Sequence, residues 1–325
     1  MSRPAAIRRT LRTGRIAQKC AAVAAAIVVT ATLAACGGSE AEKEQVPTIG
    51  YGIDNVVSTY NANTVDGAAS GARQALARVQ PGFSYTGPEG ATIADTDIGT
   101  ADFVVGQPST ITYRINPAAT YSDGVALTCD DLALTWAAGS GRFRGPQGEP
   151  LFDAASTAGY RDIEHFDCAP GGKEATAVLA PGRTIVDWKS LFAATSILPS
   201  HIIERKTGVS DVLAVLRSDP AGASDNADLA KIAEFWNTGW QLTPGDLDLS
   251  LLPSAGPYRI EEYTDEGGLV LVANDRWWGN RPATPRIVIY TKTQDIVSFI
   301  ESGDIEVVDV ATGAVPGLKA ATFED

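Results

Sequence analysis

Apolar and polar positions alternate most cleanly in STITYRIN, residues 109–116, which predicts a strand with one buried face. VPTIGYGI (46–53) reads as a strand leaving a polar leader, and GAASGARQALARV as a turn followed by a helix. In CDDLALTWAAGSG, Leu132 and Trp136 stand four apart on one helix face. Thr128 before that run, with Asp131 three residues on, has the form of a capping box. Asp130 and Asp131 suit the positive end of the same helix. TYSDGVALT predicts a turn cornered at Asp123-Gly124. Residues 138–182 are rich in Gly and Pro with short strands such as KEATAVLA. DWKSLFAA predicts a short helix, ILPSHIIERK starts a further element, and the polar stretch ending in AKIAEFW closes on a helix. PYRIEEY, DEGG and LVLVAND have the order of a β-hairpin. RIVIY then predicts a buried strand, Asp295 caps a helix stopped by Gly303, and DIEVVDV returns to strand. Strands alternating with helices imply an α/β layer. No internal repeat is visible.

The first forty residues change the picture from fold to address. Arg3, Arg8, Arg9, Arg12, Arg15 and Lys19 form a basic start without acids, followed by the apolar run CAAVAAAIVVTATLAA. A basic region, a short apolar region and small residues describe an export signal over residues 1–35. The run falls short of the about 20 residues a membrane span needs. Cys36 follows Leu33-Ala34-Ala35, the order required for lipid attachment at the cysteine; a plain secretory signal is the simpler alternative. Residues 36–46, in which Gly37-Gly38-Ser39 follow Cys36, read as a flexible tether. The expected location is the outer face of the cytoplasmic membrane, with a soluble body.

Charge narrows the partners. The formal net charge is -13, and the part after the basic leader is more acidic still. Nucleic acid is not an expected partner, because phosphate binding needs basic patches. The hydrophobic fraction of 44% is that of a globular protein. With Cys20 in the leader and Cys36 acylated, Cys129 and Cys168 remain as a pair in an oxidising compartment, and a disulfide is expected. The competing reading is zinc, drawn from His165-x-x-Cys168 and Asp130 beside Cys129, although structural zinc wants four ligands. No G-x-S-x-G, H-E-x-x-H, P-loop or G-x-G-x-x-G is present, and His165 and His201 are the two histidines. The chain is therefore not expected to be an enzyme, and no cofactor is implied.

Four blocks in order carry a family resemblance: ITYRINPAATYSDGVALTCDDLALTW, ILPSHII, SAGPYRIEEY with LVLVANDRWWGNRP, and IVSFIESGDIEVVDV. Behind a lipoprotein-like leader, they resemble bacterial extracellular solute-binding protein family 5, the oligopeptide-, dipeptide- and nickel-binding components of ABC importers. The resemblance implies an α/β, periplasmic-binding-protein-like type II clamp. It places the first lobe at 47–75 and 186–325, interrupted by a β-rich second domain at 76–185. Family members are about twice as long, so the first lobe is expected to be incomplete, the opposing C-terminal lobe absent, and the last twenty or so residues poorly packed. A diacylglycerol and palmitate anchor on Cys36 is implied. So are a monomeric state, a peptide or other small solute as ligand, and ABC permease and ATPase subunits as partners.

STYNANTVDGA matches the stretch that borders ligand in the family, so the resemblance implies ligand contacts for Asp66, Gly67 and Ala68, with Tyr60 and Asn61 beside them. An acid there would meet an amino group, and a glycine would let backbone approach. An ordinary Asp-Gly turn is the alternative. GYGIDNVVSTYNANT and DWKSLF also resemble actinobacterial members, one of which is tied to phosphatidylinositol mannoside and lipoarabinomannan synthesis. That implies a rival regulatory role on the same fold; a secreted hydrolase is the remote third reading. Trp277 and Trp278 are expected to pack against the sheet, and Trp136, Trp188, Trp236 and Trp240 to be core.

Overall fold

The computed structural model describes residues 47–218 and 226–309. The leader, Cys36, the tether through residue 46 and the residues from 310 onward, where poor packing is expected, lie outside them.

The chain enters on β1 (Thr48–Ile53). Glycine is required within it: a Cβ on Gly50 would lie 1.7 Å from the Asp304 carbonyl oxygen. α1 (Val65–Ala69) and α2 (Ala72–Leu76) follow where one turn and one helix are expected. Thr64 caps α1 by accepting from the Gly67 amide, and Ser70 breaks the run in extended backbone. The Ser70 hydroxyl donates to Gly67 O and accepts from Ala72 N, so one side chain serves both helix ends.

β2 (Ser84–Thr86) and β3 (Thr92–Ala94) form a two-stranded ribbon. β4 (Gly99–Val104) and β5 (Thr110–Ile115) begin a four-stranded antiparallel sheet. The period-2 pattern of β5 is realised: Ile111, Tyr113 and Ile115 are buried, whereas Arg114 is exposed and pairs with Asp102 and Glu174. α3 (Cys129–Ser140) starts at the expected capping box, with Asp131 Oδ2 accepting from Thr128 N at 2.9 Å. It ends at Gly141, whose φ of 66° is the left-handed stop. β6 (Ile163–Cys168) and β7 (Glu174–Leu179) complete the sheet in the order β4-β5-β7-β6, and α3 packs on β6 and β7.

DWKSLFAA is not a helix. Trp188–Ser190 makes a single 3-10 turn, after which Phe192 and Thr195 take φ of 53° and 70°. Those left-handed residues cannot continue a right-handed helix. Trp188 is only half-buried, stacked on Phe103 at 5.8 Å, whereas Trp136, Trp236 and Trp240 are core. α4 (Ser200–Thr207), α5 (Val212–Ser218) and α6 (Ala227–Thr238) then pack on one another, and α4 and α5 also pack on α3.

The hairpin β8 (Tyr258–Thr264) and β9 (Gly268–Ala273) leads to β10 (Arg286–Tyr290), α7 (Ile296–Ser302) and β11 (Val307–Asp309). Asp295 caps α7 and Gly303 ends it at φ 81°, as the sequence predicts. The resulting mixed sheet has the order β11-β1-β10-β9-β8, with β1 parallel to both neighbours. The first strand of the chain therefore sits among its last ones. One continuous hydrophobic core joins Leu271 and Ile289 of this sheet to Ile111 and Tyr113 of the other.

Candidate functional site

The site begins with an asparagine pair in the turn between β1 and α1. Asn61 is wholly buried; its Nδ2 donates to Trp236 O at 2.8 Å, and its Oδ1 accepts from both the backbone N and the Nδ2 of Asn63. Asn63 is thereby aimed across at a loop distant in sequence. Its Nδ2 lies 3.3 Å from Thr195 O and 3.2 Å from Ser196 O. Thr135 on α3 donates its hydroxyl to Ser196 O at 3.1 Å. From another side, the Tyr160 hydroxyl accepts from Phe192 N at 2.8 Å.

These contacts hold Leu191–Ser196 in a conformation that local preference opposes. A β-branched residue such as Thr195 at φ 70° is a backbone outlier, and such strain persists only where the surroundings over-determine it. Asn63, Thr135 and Tyr160 are those surroundings. Together with Arg73, Thr86, Ser156 and Trp236 they line a cleft of about 390 Å³, within the size range of small-ligand sites.

The residues singled out from the sequence take distinct places. Tyr60 is fully buried, donates its hydroxyl to Pro253 O at 2.7 Å, and has its phenol pKa pushed up by burial. Asn61 reaches the cleft only through Asn63. Gly67 is buried because a Cβ there would meet Asn61 O at 2.0 Å, so its smallness lets α1 pack on the asparagine turn. Ala68 is half-buried on α1. Asp66 is exposed, accepts from Ser58 Oγ at 2.9 Å, and does not line the cleft. Sequence reasoning missed Asn63, Thr135, Tyr160 and Thr195. Asn63 sits inside the quoted STYNANTVDGA stretch, so an Asn-x-Asn pattern was its available signal; the other three carried none.

A second cleft, of about 460 Å³, is lined by Arg78, Tyr85, Asp95, Asp97 and Trp277. Trp277 and Trp278 stand 4.4 Å apart, and Trp278 Nε1 donates to Asp97 O at 2.7 Å. Both indoles pack on the core as partly buried residues.

Cys129 and Cys168 form a disulfide across a separation of 39 residues. Bonded to each other, these sulfurs are not the thiolates a zinc site needs, so the zinc reading is set aside. His165 points out, with 69% of its side chain exposed. His201 Nε2 lies 2.9 Å from Asp123 Oδ2, but the neighbouring hydroxyl, Ser200 Oγ, donates to Asp131 Oδ1 at 2.7 Å. Ser200 is thus committed to Asp131 and not poised against the imidazole.

Burial raises the carboxyls of Asp95, Asp130 and Asp131 above the ordinary 3.8, and that of Glu204 above 4.5. A raised acid binds its proton more tightly in the folded state. Its stabilising contribution is complete below the ordinary value and is lost as pH rises through the raised one. These four groups therefore raise the melting temperature as pH falls from above their raised values toward the ordinary carboxylate range. A calorimetric scan showing a fall across that interval contradicts this.

No family model matches the chain. It is similar to an uncharacterized lipoprotein of Mycobacterium tuberculosis, 45% identical over 297 residues, covering 90% of this chain and 50% of the relative. The chain thus spans about half the length of the curated relatives it matches most fully. It is 26% identical over 225 residues to the oligopeptide-binding protein OppA of M. tuberculosis, covering 69% of this chain and 31% of OppA. A probable monoacyl phosphatidylinositol tetramannoside-binding protein, LpqW of M. tuberculosis, is 24% identical over 229 residues, covering 69% and 29%. Among solved structures, the periplasmic EDTA-binding protein EppA superposes with a TM-score of 0.62 at 22% identity, covering 81% of this chain and 43% of EppA. The oligopeptide-binding protein AppA of Bacillus subtilis, in complex with a nonapeptide, gives 0.56 at 16%, covering 82% and 44%. The superpositions establish the periplasmic-binding-protein-like type II fold, in keeping with the family resemblance read from the sequence.

Proposed function

We propose that this chain is the solute-capturing lobe of a lipid-anchored binding protein on the outer face of the cytoplasmic membrane. Cys36 carries the anchor, and residues 36–46 are the tether. Segments 47–75 and 186–325 form the lobe around the insert 76–185. The cleft at Asn63 and Thr195 is the ligand-facing surface, and exposed Asp66, outside the cleft lining, is left to meet an amino group of a ligand that extends beyond it. Gly67 and Ala68 pack the wall, and Tyr60 and Asn61 act by positioning. The ligand is a peptide or other small solute, taken without covalent change by a monomer and passed to an ABC permease driven by its ATPase.

The strained loop carries this reading. Two non-glycine residues, Phe192 buried beneath the cleft loop and Thr195 lining the cleft, have φ of 53° and 70° in a loop held by side chains from three distant parts of the chain. Such an arrangement preorganises backbone groups for a ligand. The likeness to OppA, named as oligopeptide-binding, supports peptides. A second reading, recognition of an envelope glycolipid with a regulatory role, is favoured by the likeness to LpqW.

Asn63→Ala tests the site in the complete protein. Loss of the Asn63 Nδ2 proton shared between the Thr195 and Ser196 carbonyls is expected to weaken peptide binding about tenfold by titration calorimetry, with a stability loss of only about 1–2 kcal/mol. Unchanged peptide affinity contradicts the site. Binding of a mannosylated glycolipid with no peptide binding favours the second reading.

A further inference from the structure

The cleft at Asn63 and Thr195 has a charge pattern opposite to that of the protein around it. The sequence holds 39 acids against 26 Lys and Arg, yet no carboxylate lines this cleft and one arginine does. That residue is Arg73, exposed at the start of α2. Among the described residues no carboxylate forms an ion pair with it, whereas Arg114 is held by Asp102 and Glu174, and Arg183 by Asp162. Asp66, the nearest acid in sequence to Asn63, is turned to Ser58 and lies off the cleft. The rest of the wall offers neutral hydroxyls, including Thr86 and Ser156. The other cleft, at Trp277, mixes Arg78 with Asp95 and Asp97 and lacks this bias.

An acid-free wall does nothing to draw a cation away from the acidic surface elsewhere. An unpaired guanidinium does favour an anion, because charge-assisted bonds to carboxylate or phosphate are about twice as strong as neutral ones and match the guanidinium fork. We propose that Arg73 makes this cleft selective for solutes bearing an anionic group, a carboxylate or a phosphate. The inference rests on the solute-capture reading above and adds to it the chemistry of the ligand.

The test uses the complete protein and four probes: N-acetyl-trialanine as free acid and as amide, and glucose 6-phosphate beside glucose. Calorimetric titration is expected to favour the anionic member of at least one pair by about tenfold. An advantage in the peptide pair assigns a carboxylate, and one in the sugar pair a phosphate. In Arg73→Gln the gap is expected to collapse while the melting temperature holds, since the side chain is exposed. Arg73→Lys is expected to keep part of the gap. Charge-blind binding, or a gap that survives Arg73→Gln, overturns the selectivity and leaves solute capture standing. Failure of all four probes to bind counts against solute capture and, with it, the selectivity.

Discussion

Asp131→Ala is expected to destabilise the protein by about 3–5 kcal/mol. The side chain is 1% exposed and serves three donors from two helix starts. Oδ2 accepts from Thr128 N at 2.9 Å, and Oδ1 accepts from Ser200 N and Ser200 Oγ, each at 2.7 Å. Removing it takes the reciprocal half of the capping box from α3, where Thr128 Oγ1 still accepts from Asp130 N, and leaves the first residue of α4 with buried, unsatisfied donors. A capping residue alone is worth about 1 kcal/mol. The excess comes from Ser200, a buried residue whose backbone N and hydroxyl both lose their acceptor. At roughly 2–4 °C per kcal/mol for a protein of this size, the melting temperature falls by about 10 °C. Asp131→Asn keeps a single oxygen for these three donors and is expected to lose roughly half as much. A loss below about 1.5 kcal/mol in denaturant titration of the alanine variant would mean that the tie between α3 and α4 is incidental.

The second large effect is on the disulfide. Cys129→Ser is expected to cost about 4 kcal/mol under oxidising conditions, from the chain-entropy model applied to a loop closed across 39 residues. Here too the bond links the start of α3 to another element, the end of β6. Its loss frees the 138–162 stretch, which supplies Ala154, Ser156 and Tyr160 to the cleft. Peptide affinity should therefore weaken along with stability. A melting midpoint equal to wild type without reductant rules out a stabilising bridge.

These two predictions also mark how far the sequence could be read. The Thr128/Asp131 capping box was legible because both partners lie within one turn. The bond from Asp131 to Ser200 was not, because it spans 69 positions. Strands with one buried face, such as β5 and β7, were legible from alternation. β4 was passed over: along GTADFV no residue is fully buried, so its alternation carries little contrast. DWKSLFAA looked helical because nothing in Phe192 or Thr195 announces a left-handed backbone; only glycine or asparagine would have done so. The cleft was hidden for the same reason as the Ser200 bond. It is assembled from Asn63, Thr135, Tyr160, Thr195 and Trp236, which meet only after the two sheets share a core. The asparagine turn lies inside the STYNANTVDGA stretch, but the residue that lines the cleft is two positions beyond Asn61: Asn61 holds Asn63, and Asn63 lines it.

Elements far apart in sequence meet at the cleft. Helix α3 carries Thr135 to the loop, β1 leads into the asparagine turn, and α6 supplies Trp236 as both core and cleft wall. A ligand resting on Leu191–Ser196 therefore touches parts of the chain that lie far apart in sequence. Its binding should stiffen all of them at once.

A crystal structure of the complete protein with a bound solute tests this most directly. The account predicts ligand density against Thr195 and Asn63, with an anionic group beside Arg73. Density seated instead between Arg78 and Trp277, with the loop at Leu191–Ser196 untouched, would contradict it.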